Sequence, residues 1–311
     1  MLKKGAEKLL GVEAIMHTPF KEDYELDLDG TRKLIRHMID NGIVEGEGCI
    51  LVAGAVGEFM TMSPEERKRF AEVCLDEADG KVPMIVNVAD TNVNVIKELA
   101  HHAEEHGAYC VQLSPPYYMP LSDRELVDFY KNISDEISIG MMVYANFWAS
   151  QVYFDNIIDE LIDIENVVAM KWNHPDAYVY HDSLIKYSDR LAFMSNDAHR
   201  FGMWQYMIGM RGFCSQVAVY APQVALREWE AIKARDWDGL SELIKKWDMP
   251  FLQWNRSLKE VGITGTGGNT LKYASELLGL PAGPARPPHD YPCPKKQRDE
   301  IRNILIQNGA L

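Results

Sequence analysis

Short, continuously apolar runs separated by amphipathic stretches set the pattern of this chain. Strands are predicted over Val12–His17, Cys49–Val52, Met84–Val88, Tyr109–Leu113, Gly140–Tyr144, Val167–Lys171, Leu191–Met194 and Gly212–Val217. Their apolar character is unbroken rather than alternating, as expected of parallel strands covered on both faces. The stretches between them carry helical signals. Thr31–Asn41 places Leu34, Ile35, Met38 and Ile39 on one face, and Gly42 stops it. Ser63-Pro64-Glu65-Glu66 reads as a capping box with proline at the first helical position, and Ser122-Asp123-Arg124-Glu125 repeats the device.

Strand–helix alternation of this kind, repeated through the first two thirds of the chain, predicts an α/β protein of the (β/α)8 TIM-barrel type with a C-terminal helical extension. Residues 1–222 form the expected barrel core. Residues 223–311 supply the last barrel helix and a helical appendage belonging to the same structural unit. Within that tail, Ala225–Ala234, Leu240–Met249 and Lys295–Asn308 read as helices, and the proline-rich 281–288 as a stiff connector. An open doubly wound sheet is the rival. Against it, the early glycine turn Gly54-Ala55-Val56-Gly57 is not Gly-x-Gly-x-x-Gly, and no Walker-type loop occurs.

Composition narrows the function classes. A net charge of -14 disfavours a phosphate-backbone partner, so no nucleic acid is expected. No apolar run is long enough to span a bilayer and the amino end lacks a signal-peptide pattern, so the expectation is a cytoplasmic protein with no membrane partner. Five cysteines, spread out and without Cys-x-x-Cys spacing, suggest neither a disulfide scaffold nor a zinc site. Cys49, Cys110 and Cys214 fall inside strands and read as small buried hydrophobes.

Candidate chemistry lies where strands end, because side chains at those ends surround the active site of such a barrel. There the sequence offers His17-Thr18, Gly54 to Glu58, Asn87, Ser114 with Tyr117-Tyr118, Tyr144, Lys171, Asn196-Asp197 and Ser215-Gln216. Lys171 closes the apolar run Val167–Met170. It is either a lysine that leaves the barrel mouth for water or an amine whose pKa burial depresses, able to attack a carbonyl. Tyr144 ends the preceding strand, and is either an interior aromatic or a phenol that passes protons to and from an imine at Lys171. Parity places Val167, Ala169 and Lys171 on one face, with small Ala169 beneath the lysine. Glu58 reads as a loop-fixing carboxylate. His102 and His106 read as a solvated helical face, and His174 and His199 as structural or rim residues.

The order Gly54-x-x-Gly57-Glu58, Ser63-Pro64-Glu65-Glu66, Pro116-Tyr117-Tyr118, Tyr144-x-Asn146, Lys171, Asn196-Asp197 and Arg286-Pro287-Pro288 resembles the dihydrodipicolinate synthase / N-acetylneuraminate lyase superfamily across nearly the whole chain. The resemblance implies a Schiff-base-forming lyase or aldolase, commonly a tetramer, that needs no metal or organic cofactor. Pyruvate or another 2-oxo acid and an aldehyde would be its substrates. It implies Lys171 as the imine-forming residue, Tyr144 as the proton-transferring phenol and Tyr118 as a tyrosine that some members lend across a dimer interface. It also implies Gly54, Ala55, Val56 and Gly57 as the loop that holds the substrate carboxylate, with Asn146 and Ser215 among the substrate-binding residues.

Two departures from that pattern matter. Many members carry two hydroxyl residues where this chain has Ala55 and Val56, and the synthases carry a proline and then an arginine after the tyrosine, where this chain has Asn146-Phe147-Trp148-Ala149-Ser150-Gln151. The missing arginine disfavours the lysine-biosynthesis reaction. The aromatics Phe147, Trp148 and Trp172 are more similar to the hydratase-aldolase branch, which joins pyruvate with aromatic aldehydes. Two alternatives stand beside the aldolase: a 2-oxo-3-deoxy sugar acid dehydratase using the same imine, and a catalytically weakened homologue that binds a small acid.

Overall fold

A computed structural model describes residues 1–196, 199, 202–263 and 268–311 of the chain, without the side chains of Phe147 and Trp148. Its strands are β1 (Gly11–Ile15), β2 (Gly48–Val52), β3 (Met84–Asn87), β4 (Cys110–Leu113), β5 (Gly140–Ala145), β6 (Val167–Trp172), β7 (Ala192–Ser195) and β8 (Gly212–Ser215). They neighbour one another in sequence order and close into a barrel. The predicted strands are therefore present, each shifted by a residue or two; the last ends at Ser215, where Val217–Val219 turns into a 3-10 helix instead.

The helices that follow β1 to β4 are α1 (Leu28–Asp40), α2 (Pro64–Ala78), α3 (Val93–Glu105) and α4 (Asp123–Ser134). Both capping boxes form, Ser63 with Glu66 and Ser122 with Glu125. After β5 come α5 (Phe147–Ser150) and α6 (Ile158–Asp163), after β6 comes α7 (Ala177–Tyr187), and after β7 comes α8 (Trp204–Met207). The tail holds α9 (Pro222–Ala234), α10 (Trp237–Leu243), α11 (Met249–Glu260), α12 (Gly268–Leu277) and α13 (Lys295–Gln307). A π-helical turn, Ile244–Asp248, joins α10 to α11. The sequence reading had no helix at α12, whose residues Asn269 to Ser275 are buried. A helix buried all round shows no amphipathic stripe from which to read it.

Two compact units emerge from the chain's contacts, the first comprising 1–13, 44–51 and 80–214, the second 14–43, 52–79 and 215–311. In the first, Lys3 Nζ donates to the carbonyls of Ile162, Ile164 and Val167 at 2.6, 2.6 and 2.9 Å, fixing the entry into β6. The pairing of β5 with β6 is interrupted by one extra residue. Met141 faces Val167 and Met142 faces Ala169, so Val168 bulges and every later pair moves by one. Gly140 makes room for it: a Cβ at Gly140 would sit 2.7 Å from Val168 Cγ2.

The second unit carries its own core, in which Val217, Tyr220 and Val224 pack with Trp247, Phe251, Trp254 and Leu258 of the tail and Ile301 and Leu305 of α13. Trp254 donates its indole N–H to Gln297 O at 2.7 Å, tying α11 to α13. Among the described residues no helix is long and apolar enough to cross a membrane.

Candidate active site

The bulge at Val168 decides which residue stands beside Tyr144. In uninterrupted register Tyr144 would face Met170; with one residue inserted it faces Lys171, and Ala145 faces Trp172. Lys171 Nζ then lies 5.2 Å from the centre of the Tyr144 ring. Two residues below, small Ala169 pairs with Met142 on one side and Ala192 on the other. Lys171 is 2 % exposed. It does not leave the barrel for water.

Its partner is Glu13 of β1, a residue the sequence reading passed over. Glu13 Oε2 stands 2.7 Å from Lys171 Nζ, and Glu13 is fully buried. The signal was available, for Glu13 is a lone charge inside the apolar run Val12–Met16, as Lys171 is in its own strand. Burial pulls the amine's pKa down, but Cys214, Glu13 and Tyr144, together with the hydrogen bond to Glu13, outweigh it and hold the pKa above the ordinary lysine value. This corrects the expectation that burial lowers it. A buried ammonium beside a carboxylate keeps its proton because losing it would strand the partner's charge.

The glycine turn Gly54–Gly57 belongs to the second unit. Ala55–Gly57 forms a 3-10 turn, and the N–H groups of Gly57 and Glu58 are spent on the carbonyls of Gly54 and Ala55, each at 3.0 Å. The amides of Ala55 and Val56, the first of the turn, have no acceptor within the turn by construction. Thr18 Oγ1 donates to Gly57 O at 2.6 Å, and a Cβ at Gly57 would meet Met16 O at 3.1 Å, so the turn is pressed against the end of β1.

Glu58 fixes this loop, though by longer connections than expected. Its Oε1 stands 2.7 Å from Lys272 Nζ, and its Oε2 accepts the backbone N–H of Arg286 at 2.8 Å. Arg286 in turn pairs with Glu66 and donates to the carbonyls of Tyr24 and Thr61. Lys272 is a second buried lysine that the sequence reading missed. It donates to Pro284 O at 2.8 Å and lies 4.3 Å from the Phe20 ring centre. Burial lowers its pKa to about 8 despite Glu58. His17, on the same loop system, bonds Pro281 O through Nε2 at 3.1 Å; burial and the Lys272 charge lower its pKa to about 3, leaving it neutral.

The remaining candidates are dispersed. Tyr118 is 82 % exposed in the loop after β4. Asn146 is buried, its backbone carbonyl accepts from Ala149, Ser150 and the Ser150 hydroxyl, and its side-chain Oδ1 has no hydrogen-bond partner among the described residues. Ser215 Oγ accepts the N–H of Ala218 at 3.2 Å, closing the turn after β8. Trp172 does not face the lysine's side of β6. It is buried against Tyr180, Phe193 and His174, so it packs the strand to its helix rather than lining a substrate pocket. His174 accepts the N–H of Asp176 at Nδ1, and His199 bonds the Tyr206 hydroxyl at 2.8 Å. The His102 and His106 rings stack at 4.2 Å. Asp197 and the side chains of Phe147 and Trp148 lie outside the described residues.

A barrel of parallel strands with a buried lysine at the end of its sixth strand defines a class of enzymes, and the comparisons with known proteins agree with it. The profile of the dihydrodipicolinate synthetase family matches residues 8–308, and the chain belongs to that family. It is an enzyme of the aldolase and lyase kind that the family comprises. The chain is 28% identical to a 4-hydroxy-tetrahydrodipicolinate synthase of Thermotoga petrophila, the match covering 97% of this chain and 99% of that one. It is 25% identical to an N-acetylneuraminate lyase of Lactiplantibacillus plantarum, over 91% of this chain and 93% of that one. The crystal structure of dihydrodipicolinate synthase from Oceanobacillus iheyensis superposes with a TM-score of 0.86 at 23% identity, covering 98% of each chain.

Proposed function

We propose that the chain is a Schiff-base-forming lyase that makes or breaks a carbon–carbon bond between pyruvate, or a related 2-oxo acid, and an aldehyde. The observation that carries this is Lys171, buried at the carboxyl end of β6 beside Tyr144. In the proposed reaction the neutral amine of Lys171 attacks the 2-oxo carbon and Tyr144 relays a proton from nitrogen to oxygen in the carbinolamine. Loss of water then gives a protonated imine, which draws electrons from the adjacent carbon during bond formation or cleavage.

The substrate carboxylate is assigned to the Gly54–Gly57 turn, through the amides of Ala55 and Val56. With alanine and valine in the turn, this grip uses backbone alone. Asn146, whose buried Oδ1 lacks a partner among the described residues, is assigned a contact with substrate. Tyr118, exposed on its loop, fits a tyrosine that completes a neighbouring subunit's site, and we assign the chain to a homotetramer or dimer on that ground. The relatives' activities support the shared half of the chemistry. The lack of an arginine after Tyr144 argues for an aldehyde partner other than the acidic amino aldehyde of lysine biosynthesis. Five free cysteines suit a reducing compartment such as the cytoplasm.

Borohydride reduction in the presence of saturating pyruvate tests the reading directly. A reduced pyruvyl adduct located on Lys171 by peptide mass spectrometry is the expected outcome. An adduct on Lys272 instead, or none, defeats it.

A further inference from the structure

Glu13 and Lys171 form a buried ion pair. Replacing such a pair with apolar residues of similar volume is often neutral or stabilising, because desolvation of both charges offsets their attraction. Val12 and Ala14 of β1, and Met16 just beyond it, are apolar and fully buried. A glutamate in that setting, with Oε2 at 2.7 Å from one amine, is placed to act on that amine. The titratable groups that act electrostatically on the pair are Tyr144 from β5 and the thiols of Cys214 from β8, Cys49 from β2 and Cys110 from β4. Burial raises the pKa of Cys49 and Cys110, keeping both neutral.

We infer that Glu13 accepts the proton that Lys171 must lose before attacking a 2-oxo acid, and returns it when the carbinolamine loses water. This rests on the proposed imine chemistry. The balance closes as follows. The ammonium passes one proton to the Glu13 carboxylate, giving a neutral amine and a carboxylic acid. The amine's lone pair forms the C–N bond while the carbonyl electrons move to oxygen, and Tyr144 relays a proton from nitrogen to that oxygen. The Glu13 acid then protonates the hydroxyl, which leaves as water as the nitrogen lone pair forms the double bond. One ammonium and one ketone become one iminium and one water, and the Glu13 carboxylate again faces a single positive charge. A partner that sees the same charge before and after spares the barrel interior an uncompensated ion at either end of the step.

The inference is tested by the rate of borohydride-trapped adduct formation with pyruvate as a function of pH, in wild type, Glu13→Gln and Glu13→Asp. In Glu13→Gln, burial acts on Lys171 without its anionic partner. The pH profile is expected to move at least one unit toward acid, and the plateau rate to fall at least tenfold for want of a proton donor to the hydroxyl. Glu13→Asp keeps the charge but withdraws it, so its profile stays near that of wild type while its rate falls. Wild-type rate and profile in folded Glu13→Gln overturn the inference. Should Glu13→Gln not fold, Glu13→Asp decides: a tenfold slower reaction supports the inference and an unchanged rate overturns it. Absence of a wild-type adduct on Lys171 instead defeats the proposed imine chemistry itself.

Discussion

Tyr144 and Lys171 face each other across β5 and β6 because Val168, three residues before Lys171, bulges out of the pairing. Phenol and amine are thereby neighbours on adjacent strands, which is the arrangement a proton relay at an imine needs. Tyr144→Phe keeps the ring and removes the hydroxyl. Its kcat is expected to fall by about 10² to 10⁴, the usual contribution of a positioned acid–base group. The Lys171 adduct should still form on prolonged incubation with pyruvate and borohydride. Turnover near wild type would remove Tyr144 from the chemistry.

The backbone grip on the carboxylate can be probed at one atom. Ala55 is the first residue of its 3-10 turn and follows Gly54, whose backbone is extended at φ -77 and ψ -170. Proline is tolerated at such a position, after an extended residue, and its only chemical cost there is one N–H. Ala55→Pro is expected to raise KM for pyruvate by about tenfold to a hundredfold, the worth of a hydrogen bond to a charged group. Ala55→Ser, which keeps the amide, should change it little. Steady-state kinetics on the two variants make the comparison, and equal KM values would move the carboxylate elsewhere.

Glu58 and Lys272, each 1 % exposed, hold the glycine turn to the connector before Arg286. Removing either partner leaves the other charged and buried. Glu58→Gln and Lys272→Met are each expected to cost about 3–5 kcal/mol in urea unfolding, and the double variant distinctly less than their sum. Additive losses would mean the two charges do not depend on each other.

Glu228 gives a pH dependence of stability. Its burial raises the carboxyl pKa from 4.5 to about 8, against the opposing pull of Asp248 and Arg227. The folded state therefore holds a proton that the unfolded chain has released. This group's contribution is fully present below about pH 4.5, is lost progressively as pH rises, and changes no further above about pH 8. The slope inside that window is at most about 1.4 kcal/mol per pH unit. Glu228→Gln should flatten the window and be the more stable form at pH 8, as read from denaturant midpoints across pH. An unchanged slope would show that Glu228 does not hold its proton.

Much of the architecture was legible in the chain alone. Apolar runs of strand length, capping boxes at Ser63 and Ser122 and the stop at Gly42 are local signals with local causes. Their order in the sequence is their order in the barrel. Lys171 and Tyr144 were legible too, as polar residues closing apolar runs. Glu13 carries the same signal, but it sits within its strand rather than at the end, where the side chains around a barrel's active site are expected. Trp172 misled for the opposite reason: an aromatic beside the lysine in sequence points to the other face of the strand.

What sequence determined by itself is which residues would be buried and which charges would stand alone among them, because hydrophobic patterning acts residue by residue. What only the tertiary structure decided is their pairing. The bulge at Val168 sets Tyr144 against Lys171 rather than Met170, and it arises where β5 and β6 meet, across Gly140. Glu13 reaches Lys171 from a strand 158 positions earlier, and Cys214, Glu13 and Tyr144 together convert an amine expected to lose its proton into one that keeps it. Burial is a property of a residue, but the sign of a pKa shift belongs to its neighbours, and folding alone brings those together.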